Sequence, residues 1–236
     1  MGNLHTSIAV ASICLTSAFL GCVFGLGFFV WIIYGYSIGG FFAFLSLFHL
    51  LEFYITARFQ GSQLSWDSFI LNNGKAYWLA MLVGLLECLL SGGKSFAKVI
   101  NCLRFPSFLI NFIFSVYQTS ALGFLCLGQY LRSSAMVQAG QSFSHIVASK
   151  RNKDHLLVTD GIYAYVRHPS YVGFFIWALG TQMLLGNFVS TLLFSLVLWK
   201  FFSQRITTEE AYLVSFFGDS YEQYRKKVPS GIPLIP

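Results

Sequence analysis

The sequence predicts an all-α polytopic membrane protein: about six transmembrane helices including a short helical hairpin, a cytosolic loop and a C-terminal helical tail. Three observations carry this. The residues AVILMFWYC make up 56% of the 236 residues and charged residues only 10%, against a usual charged share of ~25%. The apolar residues, 26 Phe among them, gather in long runs rather than in amphipathic stripes. The basic residues lie between and after those runs, where they face an anionic membrane surface. The formal charge of +6 therefore does not point to nucleic acid. Cys14, Cys22, Cys88, Cys102 and Cys126 form no CxxC and mostly sit in apolar runs, as small hydrophobes rather than a disulfide framework or zinc site.

The first run, 8–34, holds no charge, and the second, 38–57, holds only His49 and Glu52. The third, 76–91, is shorter and holds Glu87; the fourth, 105–131, holds none. A spanning helix needs ~20 residues, so the first, second and fourth are long enough. His49, Glu52 and Glu87 each need a partner or a cavity, because ionisable groups are costly inside a bilayer. The last run, 170–203, has one charge, Lys200, near its end. At ~1.5 Å per residue it measures about 51 Å, too long for one crossing of a ~30 Å core. Gly186-Asn187 at its midpoint suggests a hairpin of two short halves.

Six crossings put twelve basic residues on one side: Arg58, Lys75, Arg132, Lys150, Arg151, Lys153, Arg167, Lys200, Arg205, Arg225, Lys226 and Lys227. The other side keeps Lys94, Lys98 and Arg104. The richer side is cytosolic by the positive-inside rule, and both termini lie there. The chain divides into N-terminal transmembrane helices, 1–131, and a region 132–236 whose polar sequence, 132–169 and 204–236, is where chemistry can be done.

Two clusters stand out there. In the first, Arg167-His168-Pro169-Ser170-Tyr171 opens the last apolar run. Pro169 suits the first position of a helix, and the N–H groups of Ser170 and Tyr171 would be free to meet a carboxylate. An interfacial belt of Tyr, His and Arg around a helix-starting Pro gives the same pattern. In the second, Arg205 and Glu209 are four residues apart on one helix face. They are either a surface ion pair or a divided pair, Arg205 for a ligand carboxylate and Glu209 for a ligand ammonium. His145, His155 and His168 match no zinc spacing, so no metal is expected. GxGxxG after a strand and GxxxxGK with Ser or Thr are both absent, which excludes Rossmann and P-loop nucleotide sites.

These residues together resemble the isoprenylcysteine carboxyl methyltransferase family. The stretch Ser134-Ala-Met-Val-Gln-Ala-Gly-Gln-Ser-Phe-Ser-His145 looks like that family's segment ahead of its cofactor region. His155-Leu-Leu-Val-Thr159, Gly161-Ile-Tyr163 and Arg167-His-Pro-Ser-Tyr-Val-Gly173 look like the cofactor region itself. Arg205, Glu209-Glu210, Phe216-Phe-Gly218, Tyr221, Tyr224 and Val228-Pro-Ser-Gly-Ile-Pro233 continue it in order. RHPxYxG alone is shared with phospholipid N-methyltransferases and sterol-reductase relatives, which are the alternative reading. Animal members carry eight spans, and this chain offers six.

The resemblance implies methylation of the C-terminal prenylcysteine α-carboxylate of CaaX proteins, Ras-like small GTPases among them. The methyl donor would be S-adenosylmethionine, leaving S-adenosylhomocysteine, and the location the endoplasmic reticulum membrane. It further implies that His155, Leu156, Leu157, Val158 and Tyr163 hold the adenosine. His168, Pro169, Ser170 and Tyr171 would hold the methionine part, Glu209 its ammonium, and Arg205 the substrate carboxylate.

Overall fold

The structure, a computed structural model, describes residues 2–61, 64–151 and 155–235. Lys153, one of the twelve basic residues above, lies outside them. Among the described residues eight α-helices run in order: α1 Gly2–Tyr34, α2 Ser37–Phe59, α3 Gly74–Ser91, α4 Ser95–Asn101, α5 Ser107–Ala139, α6 Pro169–Leu184, α7 Val189–Phe217 and α8 Asp219–Lys227. There is no strand among the described residues.

Among the described residues, four segments are long and apolar enough to cross a membrane: Ser7–Tyr34, Ser37–Phe59, Trp66–Ser91 and Ser107–Ser142. The two helices of the last apolar run fall outside that set. α6 has 16 residues, about 24 Å at ~1.5 Å each, and α7 carries Lys200 and Arg205 midway along. The run does break at Gly186, in the left-handed region at φ 72°, a conformation glycine adopts without strain. The second half does not stop at Ser203, however. α7 continues through Arg205 and Glu209 to Phe217, so the expected polar tail begins as helix. α5 likewise extends past Leu131 to Ala139, which shortens the expected loop and puts Arg132 inside a helix.

The core lies where α2, α5 and α6 meet, around Phe41, Phe48, Leu125, Trp177 and Ala178. The rings of Phe48 and Trp177 lie 4.4 Å apart. α5 and α6 approach closely because glycine faces backbone on both: a Cβ on Gly128 would lie 2.7 Å from the Gly173 carbonyl oxygen, and one on Gly173 would lie 2.5 Å from the Arg132 nitrogen. Small residues at helix contacts serve this purpose in membranes, where dispersion rather than water expulsion drives association.

His49, Glu52 and Glu87, the ionisable residues of the second and third apolar runs, are each engaged. Glu87 of α3 accepts from the backbone N–H groups of Phe188, Val189 and Ser190 at 2.9, 2.9 and 2.6 Å and from Ser95 Oγ at 2.5 Å. It therefore caps the start of α7, where the orphan N–H groups and the helix dipole favour a carboxylate. His49 Nδ1 lies 2.8 Å from the Phe69 carbonyl. Glu52 takes a two-pronged contact from Arg132, Nε at 2.7 Å and Nη2 at 3.0 Å. Of the readings left open for these three residues, the structure gives a helix cap, a backbone contact and a buried ion pair.

Candidate active site

A cleft opens between the end of α5, the segment after it, the start of α6, the second half of α7, and α8. Its walls include His155, Leu156, Leu157, Val158, Tyr163, His168, Pro169, Ser170, Tyr171 and Glu209. All ten residues expected at a cofactor are thus brought to one cavity from positions spread over two helices and a loop.

Local chemistry explains how the loop is held. Gly161 takes φ 52° at the head of a 3₁₀ turn, Gly161–Ala164. Gln138 of α5 accepts from the Ile162 N–H at 2.9 Å, and the Tyr163 hydroxyl donates to the Ala135 carbonyl at 3.2 Å. The Tyr224 hydroxyl of α8 donates to the Tyr163 carbonyl at 2.6 Å. Upstream, the His155 ring packs edge-on against Phe216 and Phe217 at the end of α7. The Arg167 and His168 N–H groups donate to Pro229 and Ser230 at 2.9 and 3.3 Å, which closes the C-terminal segment over the start of α6.

Pro169 is the first residue of α6. The Tyr171 N–H, expected to be free, donates instead to the His168 carbonyl at 3.0 Å, as the first turn tightens. The Ser170 N–H is then the donor left to a ligand at that end. The Ser170 hydroxyl is already committed, accepting from Arg132 Nη1 at 2.7 Å. The His168 ring is committed too, with Nε2 3.0 Å from Glu210.

Arg205 and Glu209 do not pair directly. The Tyr171 hydroxyl stands between them: it accepts from Arg205 Nε at 2.7 Å and donates to Glu209 Oε2. Arg205 Nη2 donates to the His145 carbonyl at 2.5 Å, and the guanidinium lies 5.2 Å from the Tyr171 ring centroid. Arg205 is not among the cleft-lining residues. It stands behind Tyr171, with Nη1 facing no protein partner among the described residues.

The neighbouring Glu210, 6% exposed, has another role. It accepts from Arg167 Nη2 at 2.7 Å and His168 Nε2 at 3.0 Å, with Arg225 Nη1 3.6 Å away. Burial alone would raise its pKa, but the hydrogen bonds from His168 and Arg167 outweigh that and hold it below the ordinary carboxylate value. Burial lowers the His155 pKa, with help from Arg151, and raises that of the Tyr163 phenol. Both present neutral groups to the cleft at pH 7.

Sequence reasoning did not find the Glu52–Arg132 pair, because its partners are 80 residues apart. The available signal was the cost of an unpaired carboxylate in a span, which asked for a partner without naming one. It also did not assign Glu210 to a clamp or give His145 a role.

Comparison with known proteins gives a consistent result. A model of the isoprenylcysteine carboxyl methyltransferase family matches residues 121–215, a stretch that contains every residue expected at the site. The chain is 48% identical over 194 residues to protein-S-isoprenylcysteine O-methyltransferase of Saccharomyces cerevisiae, covering 81% of this chain and 77% of that one. It is 37% identical over 229 residues to the Homo sapiens protein of the same name, covering 94% and 75%. The solved structure of the eukaryotic intramembrane Ras methyltransferase ICMT, without a monobody, superposes with a TM-score of 0.82 at 36% identity, covering 95% of this chain and 77% of that chain.

Proposed function

The chain belongs to the isoprenylcysteine carboxyl methyltransferase family, and from that membership we propose how its cleft, its orientation and its two polar clusters serve the reaction. The protein is a multi-pass membrane methyltransferase that esterifies the α-carboxylate of a C-terminal prenylcysteine. The phospholipid and sterol alternatives are not favoured.

The methyl donor is S-adenosylmethionine, bound in the cleft. The donor set fits a ligand that carries both a carboxylate and an ammonium: the Ser170 N–H at the start of α6 has no partner among the described residues, Leu156, Leu157 and Val158 give an apolar wall, and the Glu209 carboxylate stands in the lining. His155, Leu156, Leu157, Val158 and Tyr163 hold the adenosine. His168, Pro169, Ser170 and Tyr171 hold the methionine part, through main chain and surface, since the His168 ring and Ser170 hydroxyl are already bonded. Glu209 meets the ammonium. Bound there, the cofactor supplies a sulfonium-activated methyl group. A carboxyl group with an ordinary pKa of ~3.5 is ionised at pH 7 and needs no general base. The protein's task is therefore alignment and exclusion of water. Tyr171 is central to this, because its hydroxyl links the residue for the substrate carboxylate, Arg205, to the residue for the cofactor ammonium, Glu209.

The single observation that carries this reading is the convergence of all ten cofactor residues on one cleft, with Arg205 one tyrosine away. Kinetics of Glu209→Gln test it. The KM for S-adenosylmethionine should rise ~10-fold or more, as for loss of a charge-assisted contact, with the prenylcysteine KM nearly unchanged. An equal rise in both KM values contradicts the assignment.

The orientation follows the charge count. α6 and α7 complete six membrane passages, with the cleft and both termini cytosolic, in the endoplasmic reticulum. The protein substrates are prenylated CaaX proteins such as Ras-like small GTPases. Their lipid enters from the bilayer, and the polar cofactor from the cytosol. On a background lacking the native cysteines, Lys150→Cys and Lys227→Cys should react with an impermeant thiol reagent from the cytosolic side, and Lys98→Cys from the lumen. Labelling of positions 150 and 227 from opposite sides contradicts the six passages.

A further inference from the structure

His145 sits beside Arg205 with an unusual set of contacts. Its backbone carbonyl fixes Arg205 Nη2 at 2.5 Å. Its ring Nδ1 lies 3.5 Å from Arg132 Nη2 and 3.7 Å from Glu52 Oε2. At 3.7 Å Glu52 is too far to accept a hydrogen bond from Nδ1, and a guanidinium can only donate. Nδ1 is therefore the acceptor nitrogen of a neutral ring, which puts the proton on Nε2. Nε2 is buried and has no hydrogen-bond partner among the described residues. Leaving a buried donor unpaired costs ~1–3 kcal/mol, and such groups in native structures call for an explanation.

The surroundings keep the ring neutral. Burial lowers its pKa first, and the cations of Arg132 on α5 and Arg205 on α7 add to that, against Glu52 on α2, to give about 4. A neutral imidazole with Nε2–H as a free donor asks for an acceptor. The preceding residues, Phe143 and Ser144, line the cleft; His145 and Arg205 stand directly behind that lining, and Arg205 Nη1 meets no partner among the described residues. Arg132 cannot serve a ligand, since Glu52 and Ser170 occupy it.

We infer that the His145 ring is a second anchor for the substrate carboxylate, its Nε2–H donating to the oxygen that does not attack. This rests on the placing of that carboxylate at Arg205 in the proposed function. The division of labour is chemically sensible. Arg205 supplies charge, and full neutralisation by a second cation would weaken the nucleophile. A neutral donor restrains the carboxylate's rotation without a further charge, leaving the other oxygen free for the methyl.

The test uses the purified full-length chain with N-acetyl-S-farnesylcysteine as substrate and S-adenosylhomocysteine binding as the control for an intact cleft. His145→Phe keeps a planar ring and removes the donor. It should raise the prenylcysteine KM by ~10-fold or more, while S-adenosylhomocysteine affinity stays within about threefold of wild type. His145→Gln restores an N–H donor and should recover most of the loss. A KM for His145→Phe within about twofold of wild type overturns the inference. So does a parallel loss of S-adenosylhomocysteine affinity, or a Gln variant as poor as Phe. A wild-type protein that transfers no methyl to the prenylcysteine overturns the proposed function itself, which separates that failure from this one.

Discussion

Replacing Arg205 by Ala should lower kcat/KM for prenylcysteine by more than ~100-fold, about 2.8 kcal/mol of transition-state stabilisation, while S-adenosylhomocysteine binds within a few-fold of wild type. The prenyl tail supplies hydrophobic affinity but does not orient the reacting oxygen. In the proposed role the guanidinium supplies that orientation, and its own contacts suit it: Nε goes to the Tyr171 hydroxyl and Nη2 to the His145 carbonyl, while Nη1 meets no partner among the described residues. Arg205→Lys keeps the charge, but an ammonium on a flexible stem cannot satisfy Tyr171, His145 and a carboxylate in this fixed arrangement. It should lose ~10- to 100-fold, about 1.4–2.8 kcal/mol. Normal methylation by folded Arg205→Ala removes Arg205 from the substrate. Loss of cofactor binding in that variant would show that Arg205, through Tyr171, supports Glu209 instead.

The largest effect on stability is expected at Arg132. Its guanidinium meets Glu52 with two nitrogens and Ser170 with a third, and it lies within 6.0 Å of the ring centroids of Phe48, Phe143 and Phe174. One side chain thus joins α2, α5 and the first turn of α6. Arg132→Met leaves the Glu52 carboxylate buried without its guanidinium, and breaking such a pair costs ~3–5 kcal/mol. Thermal unfolding in detergent should show a large fall in the midpoint for Arg132→Met. The double variant Glu52→Leu/Arg132→Met removes both charges and should recover a substantial part of it, because two well-packed apolar groups can replace a buried pair. A midpoint for Arg132→Met equal to wild type contradicts this role. Since Ser170 lies in the cleft wall, the single variant should also weaken S-adenosylhomocysteine binding.

The helices were legible because a bilayer leaves few options: apolar runs without charge must be helical to satisfy their own backbone. The runs at 8–34, 38–57 and 76–91 lie within helices, 105–131 does so from Ser107 on, and Gly186 marks a real break. Helix ends were less legible. α5 and α7 run on past the last apolar residue to Ala139 and Phe217, because polar residues such as Arg132, Arg205 and Glu210 are paired and cost the helix nothing by continuing. At the site, the residues that line the cleft were legible through a motif whose order along the chain carries the information. What links them was not. Tyr171 between Arg205 and Glu209, Glu210 under Arg167 and His168, and Glu52 with Arg132 are contacts between distant segments. Spacing within one helix left an Arg205–Glu209 ion pair and a divided pair both open, and the third dimension put a phenol between the two.

The central claim is that one cleft and one arginine direct a methyl group onto a prenylcysteine carboxylate. Labelled S-adenosylmethionine incubated with the purified protein tests it most directly, with N-acetyl-S-farnesylcysteine and phosphatidylethanolamine offered in parallel. The predicted result is base-labile label on the prenylcysteine, none on the phospholipid, and loss of the signal in Arg205→Ala while S-adenosylhomocysteine still binds. Label on phosphatidylethanolamine, or base-stable label that survives Arg205→Ala, would contradict it.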